Sequence, residues 1–269
     1  MSGRLSVEVL GIGLLGPGLA DWASGALRLR EPVTWRHEPT VVPPPARLPP
    51  TERRRAGAVV KASIVVADQA CTAAGVDPAM LASVFASSTG EPANCHALCE
   101  ALASPPRLVS PTRFTNSVHN APGGYWHIAT RSLAPSTSLG AFDGSFAAGL
   151  LEAAAQCRSR GAPVLLVACD VPYPEPLHAV RPLADSFGVA LVLGAGEGAG
   201  PGLVLQPIPG ESPSGSPTRC EDAGLEALRR GNPAARALPL LQALARRRNG
   251  RIVLEWLPDL VMQVDLDPR

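Results

Sequence analysis

Aromatic side chains are scarce in this 269-residue chain, at 4% of residues. Ala, Val and Leu must therefore fill any core, and a hydrophobic content of 46% is enough for a substantial one. No run of about 18 uncharged apolar residues occurs, so no membrane-spanning helix is expected. The opening stretch LSVEVLGIGLLGPGLA has some look of a signal peptide. Glu8 interrupts its apolar run and only Arg4 precedes it, so it reads as a buried strand and turn, and the chain is expected to be cytoplasmic. Charge of one sign is also lacking. The net charge of +1 gives no general attraction to nucleic acid, and no nucleic-acid partner is expected. The six cysteines have no framework spacing, which points to reduced thiols rather than a disulfide scaffold. Cys95, His96 and Cys99 cluster in NCHALCE, but no second cluster completes a ligand set, so no metal and no cofactor is expected.

What is present is an alternation of apolar runs and helical patterns. Residues 5–10 read as a strand leading to a glycine turn. The proline-rich residues 41–50 read as an exposed extended loop, since proline removes backbone donors. Residues 55–74 carry Ala and Val at helical spacing and should stop before Gly75. A strand is expected over 81–87 and a helix over 91–102. Irregular chain follows, then a helix near 125–131. Residues 137–157, TSLGAFDGSFAAGLLEAAAQC, read as a strand, a tight turn and a helix. APVLLVACD, FGVALVLGAG and GLVLQPI are three more strands, apolar throughout as strands covered on both faces are. After a turn-rich linker come one or two helices, the better over 234–247. RIVLEWLPDLVMQVDL then alternates like a hairpin about residues 257–259. The pattern argues for a layered α/β domain.

Several motifs carry two readings. GIGLLG, residues 11–16, matches G-x-G-x-x-G, but Pro17 and Gly18 would spoil the helix a dinucleotide needs, so glycine-rich turning is the simpler account. The tip of the turn in 137–157 reads Phe142-Asp143-Gly144-Ser145, where many enzymes carry a nucleophile. Ser145 is the nearby hydroxyl, and it also suits a helix N-cap. Asp143 is a poor acyl acceptor, because an anhydride hydrolyses readily, and as a base it lacks an evident partner. The histidines are His37, His96, His119, His127 and His178; a lone histidine is more often a packed or hydrogen-bonded residue than a catalyst, and each is read so. The arginine runs at 53–55 and 246–248 read as solvated helix ends or as docking sites for an acidic partner.

Taken together, VEVLGIGLLGP, RFTNSVHNAPGGYWHIA, TSLGAFDGSFAAGLLEAA, APVLLVACDVPYPEP and FGVALVLGAG resemble, in order, segments of the first half of a thiolase-fold ketosynthase. NSVHNAPGGYW most closely resembles the short ketosynthase-like chain length factors of aryl polyene and xanthomonadin-type pigment clusters. The resemblance implies a thiolase-like layered fold over residues 1–209. Residues 210–269 would add a linker, a helix and a terminal hairpin on the same domain. It also implies a departure. Asp143, or by sliding one residue Phe142, stands where the family carries its cysteine, and nothing after Gly210 resembles the segments that carry the family's histidines. With nucleophile and electrophilic groups both missing, the expectation is a non-catalytic chain length factor that is not an enzyme on its own. It would pair with a complete ketosynthase through the strand near 136–141, and meet an acyl carrier protein transiently during polyene elongation, as in polyketide and fatty acid synthesis. Phe114, Asn116, His119, Asn120, Tyr125, Trp126 and Phe142 are the residues expected at the dimer interface or the acyl tunnel. The rival expectation is a stand-alone acyltransferase or hydrolase using Ser145, Cys95 or Cys169 with a histidine.

Overall fold

One mixed sheet organises the chain, and its central strand explains much of the sequence. The computed structural model describes residues 3–31, 35–196, 198, 200–212 and 214–268. In chain order the elements are β1 (Leu5–Leu15), α1 (Trp22–Arg30), α2 (Pro50–Arg55), α3 (Ala58–Ala74), β2 (Ala82–Ala86), α4 (Pro92–Ala103), α5 (Pro111–Asn116), α6 (Ala121–Thr130) and β3 (Ser136–Leu139). They continue with α7 (Ser145–Arg160), β4 (Val164–Asp170), α8 (Leu177–Val180), β5 (Phe187–Gly194), β6 (Gly202–Pro209), α9 (Ala223–Gly231), α10 (Leu238–Arg246), β7 (Gly250–Glu255) and β8 (Leu260–Asp267). The strand order across the sheet is β3-β2-β4-β5-β1-β6-β8-β7. β3, β2 and β4 run parallel, and every pairing from β4 outward to β7 is antiparallel.

Both faces of the sheet are covered, which is why the central strands are apolar without alternation. On β4, Leu165, Val167 and Cys169 face the cluster built on α3 and α6, while Val164, Leu166 and Ala168 face the cluster built on α7. This is the two-residue period of a strand read onto two helical layers. The second cluster also takes in α9, α10, β7 and β8. Residues 210–269 thus contribute to the same core as the rest, and they cover α7.

GIGLLG is where sequence and structure part. Residues 11–15 continue β1 rather than turning. A Cβ on Gly11 would lie 2.6 Å from the Ala74 nitrogen, and one on Gly13 would lie 2.8 Å from the Val66 carbonyl carbon. These glycines let α3 lie directly against the strand. No helix opens after Gly16, since α1 begins only at Trp22, and the dinucleotide geometry is absent.

Other bounds shift for local reasons. Proline at the first turn starts α2, α4, α5 and α6, where its missing N–H costs nothing. The irregular stretch before residue 125 therefore contains α5, and α6 starts at Ala121 rather than Tyr125. The N-terminus of α3 has only Gly57 before it. It is capped from a distance: Glu91 lies against it and accepts the Val59 N–H at 3.1 Å. Burial pushes the Glu91 carboxyl up, and its helix N–H partners pull it back down.

Candidate functional site

β3 ends at a tight elbow. Gly140 is small because a Cβ there would lie 3.0 Å from the Ser87 carbonyl oxygen. Phe142 then takes φ +50, the left-handed region, unusual for a bulky side chain. The Ser145 hydroxyl locks the turn by accepting the Ala141 N–H at 3.0 Å and donating to the Phe142 carbonyl at 2.7 Å. Gly144, not Ser145, is the N-cap of α7. A Cβ on Gly144 would lie 2.8 Å from the Trp256 carbonyl carbon, so the end of β7 presses directly on the elbow.

Asp143 does have partners, and they come from far along the chain. Its Oδ1 accepts from Arg181 at 2.8 Å and its Oδ2 from Arg236 at 3.1 Å. Arg236 also pairs with Glu255, which accepts from Arg229 at 3.1 Å, and Arg229 grips Glu226 at 2.7 Å. The Glu226 carboxyl is held below its usual range, chiefly by that arginine. The Arg181 guanidinium lies over the Phe142 ring, 3.7 Å from its centroid, and donates to the Ser88 hydroxyl at 2.7 Å. The elbow thus carries an aromatic ring under a guanidinium, beside a carboxylate neutralised from two sides.

Behind it sits Asp170, at the end of β4 and 1% exposed. Its Oδ1 accepts from Ser87, Ser88 and Thr89, while Oδ2 is buried with no hydrogen-bond partner. Burial pushes this carboxyl up to about 6, against the pull of those hydrogen bonds. It fixes the loop after β2, whose Ser87 carbonyl lies 2.9 Å from His119 Nε2.

A family model for the β-ketoacyl synthase N-terminal domain matches residues 28–229. The chain belongs to this family. No curated protein matches it in sequence. Among solved structures it is similar to a ketosynthase in complex with its chain length factor from Xenorhabdus doucetiae, at 20% identity and TM-score 0.74, over 98% of this chain and 99% of that one. It is similar to the ishigamide ketosynthase/chain length factor at 14% identity and TM-score 0.71, over 98% and 99%. It is also similar to a type II polyketide acyl-carrier protein in complex with its ketosynthase bound to the hexaketide, at 13% identity and TM-score 0.75, over 99% and 100%. At these identities the likeness is one of fold, and the mixed α/β architecture is that of the thiolase-like ketosynthase N-terminal half.

The rival nucleophiles of this ketosynthase-family chain are poorly placed. Ser145 is 1% exposed and spent on the turn. Cys169 is fully buried, and burial together with Asp170 pushes its thiol far up. Cys95 is exposed, but its thiol is also pushed up, by partial burial and the neighbouring Cys99. Among the described residues no hydrogen bond joins a histidine to any of the three. His96 pairs with Glu100 and His37 with Asp185. The described residues contain no group of three or more side chains able to hold a metal, and no described helix is long and apolar enough to cross a membrane.

The residues expected at an interface or tunnel separate into two sets. Asn116, Tyr125 and Trp126 are buried within the chain. Tyr125 donates to Asn116 at 3.0 Å, Asn116 donates to the Arg55 carbonyl at 2.8 Å, and both aromatics pack in the α3 cluster. Phe114, His119, Asn120 and Phe142 are exposed, Phe142 at 65%. The elbow also lines an open groove of about 870 Å³, together with Pro217, Trp256, Leu257, Pro258 and Val261. Both arginine runs occupy helix C-termini, of α2 and α10, where cations complement the helix dipole. Sequence reasoning missed Arg181, Arg236 and Asp170. The signal for Asp170 was the polar end of an otherwise apolar strand; for the two arginines no local signal exists.

Proposed function

We propose that this chain is the non-catalytic chain length factor of a heterodimeric ketosynthase, bounding the cavity in which a carrier-bound polyene acyl chain grows. The observation that carries the reading is the elbow. Phe142 occupies its tip under Arg181, Asp143 is tied up by two arginines, and Ser145 is locked, so no side chain at the tip is fit to take an acyl group.

The open edge of β3 supports the pairing. β3 bonds to β2 on one side, and no described strand pairs with the other. The chain that leads into β3 carries large exposed apolar residues: Phe114, Val118, Ile128 and Leu133. An unpaired edge and exposed apolar side chains are surfaces made to be covered. The partner in this reading is a complete ketosynthase that brings its own cysteine and histidines. Phe114 and Phe142 are the exposed aromatics placed to bound its acyl cavity.

The test is co-expression with such a ketosynthase, followed by co-purification and intact mass after incubation with an acyl-loaded carrier protein. The reading expects a stable heterodimer in which only the partner gains an acyl group. Acylation of this chain would instead support the stand-alone enzyme using Ser145, Cys95 or Cys169. A chain that remains apart from every ketosynthase offered would also defeat the proposal.

A further inference from the structure

Phe142 is held by a residue remote from it in sequence. Arg181 follows α8 as its C-terminal cap, and its guanidinium covers one face of the Phe142 ring. That guanidinium is itself fixed. One terminal nitrogen donates both to Ser88, at 2.7 Å, and to Asp143, at 2.8 Å. Its Nε is buried and has no hydrogen-bond partner. An arginine present only to neutralise Asp143 would be free to turn and satisfy Nε. Here the guanidinium carbon sits 3.7 Å from the ring centroid while Nε stays unbonded, so the contact with the ring is part of what sets its position. Asp143 is in turn held by Arg236 on its other oxygen.

We propose that Arg181 is a positioning residue for chain length: by stacking on Phe142 and anchoring to Ser88 and Asp143, it fixes the aromatic wall against which the acyl chain stops. This rests on the reading of Phe142 as one wall of the acyl cavity. A phenylalanine with one face covered cannot swing its ring through that side. With the guanidinium gone, the ring rotates about its two side-chain torsions, and the cavity deepens. Lysine at 181 keeps the positive charge for Asp143 and Ser88 but has no planar face to lay on the ring.

The experiment compares the wild-type heterodimer with Phe142→Ala, Arg181→Lys and Arg181→Met. Carrier-bound products are sized by mass spectrometry and subunit association is measured alongside. In parallel, 4-fluorophenylalanine at position 142 is followed by fluorine NMR. The expected result is a shift of the product distribution by at least one extension step in all three variants, with the fluorine resonance moved in Arg181→Lys. If Phe142→Ala lengthens the product while both Arg181 variants give wild-type lengths, the positioning role is overturned and the wall stands. If Phe142→Ala itself gives wild-type lengths, the wall is refuted and the positioning role with it. If an Arg181 variant yields no product, its fluorine resonance decides: an unmoved resonance overturns the proposal.

Discussion

Replacing Gly13 by alanine tests whether the glycines of GIGLLG serve helix packing. The added Cβ would lie 2.8 Å from the Val66 carbonyl carbon, closer still to its oxygen, and 3.1 Å from the Ala70 nitrogen. These are backbone atoms of a 17-residue helix, so no side chain can rotate away to make room. Either α3 lifts from β1 or the central strand bends. Overpacking a core typically costs about 1–3 kcal/mol, and an obstacle made of backbone belongs at the upper end, about 3 kcal/mol. For a chain of this size each kcal/mol lowers the melting temperature by roughly 2–4 °C, which gives a drop of about 6–12 °C. Gly124 is the internal control. It lies within α6, and a Cβ there meets nothing within 4 Å. Alanine at 124 should be neutral or stabilise by up to about 1 kcal/mol through helix propensity. Thermal unfolding of the two variants side by side decides the matter. A Gly13→Ala protein melting within 2 °C of wild type would refute the packing argument, and a dinucleotide retained on the purified wild type would restore the reading rejected here.

Other outcomes follow from the same geometry. Leu133 is 99% exposed, so Leu133→Asp should leave the melting temperature of the isolated chain unchanged while weakening association with a ketosynthase partner at least tenfold; equal affinity by titration would count against the β3 side as the interface. Gly144→Ala places its Cβ 2.8 Å from the Trp256 carbonyl carbon, so limited proteolysis should cut the β7–β8 hairpin faster than in wild type, and an unchanged rate would show the elbow tolerates the extra atom. Asp170 gives a pH signature. Its folded carboxyl is pushed up to about 6 from an ordinary 3.8, so the folded state holds the proton more tightly than the unfolded state does. Its contribution is therefore greatest at or below pH 4, is lost as pH climbs to about 6, and is level above that. The span corresponds to a few kcal/mol at most. Asp170→Asn should remove that slope, read as the difference between urea unfolding curves of the two proteins from pH 4 to 7; parallel curves would contradict it.

The fold was legible where local pattern decides structure. The apolar runs of β4, β5 and β6 announced a covered sheet, and Gly75 and Gly161, both in the left-handed region, close α3 and α7. What stayed hidden depends on distant parts of the chain. β1 continues through Gly11 and Gly13 because α3 comes to lie there, 50 residues or more later in the chain. Glu91 caps α3 from 32 residues away. The segment before residue 125 looked irregular because prolines that open short helices read locally as breakers. Tyr125 and Trp126 stood out as candidates because they are bulky and lie in the stretch that resembles the family's interface segment, yet scarce aromatics are also valuable to a core built of Ala, Val and Leu. The elbow itself was readable from 137–157. Its partners were not, since Arg181 and Arg236 lie 38 and 93 residues from Asp143.

A chain of ion pairs ties the elbow to the C-terminal segment. Asp143 belongs to the elbow, Arg236 to the 3-10 turn at Ala234–Ala237, and Glu255 to β7. That turn and α10 bury Ala234, Ala235, Leu238 and Leu241 in the cluster that contains the inner face of α7, with Phe146, Leu150 and Ala154. An elbow that loads an acyl group must keep its tip open to substrate and its nearest polar groups uncommitted. Here Asp143 is committed to Arg181 and, in the C-terminal segment, to Arg236, and the Trp256 backbone lies against Gly144, the N-cap of α7. A thiol placed at position 142 would lie beneath Arg181 and beside a bound carboxylate, with no histidine hydrogen-bonded to any group of the elbow tip among the described residues. In the proposed reading the surface left for a partner includes the open edge of β3, the exposed Phe114, Ile128 and Leu133 in the chain that leads to it, and the exposed part of the Phe142 ring.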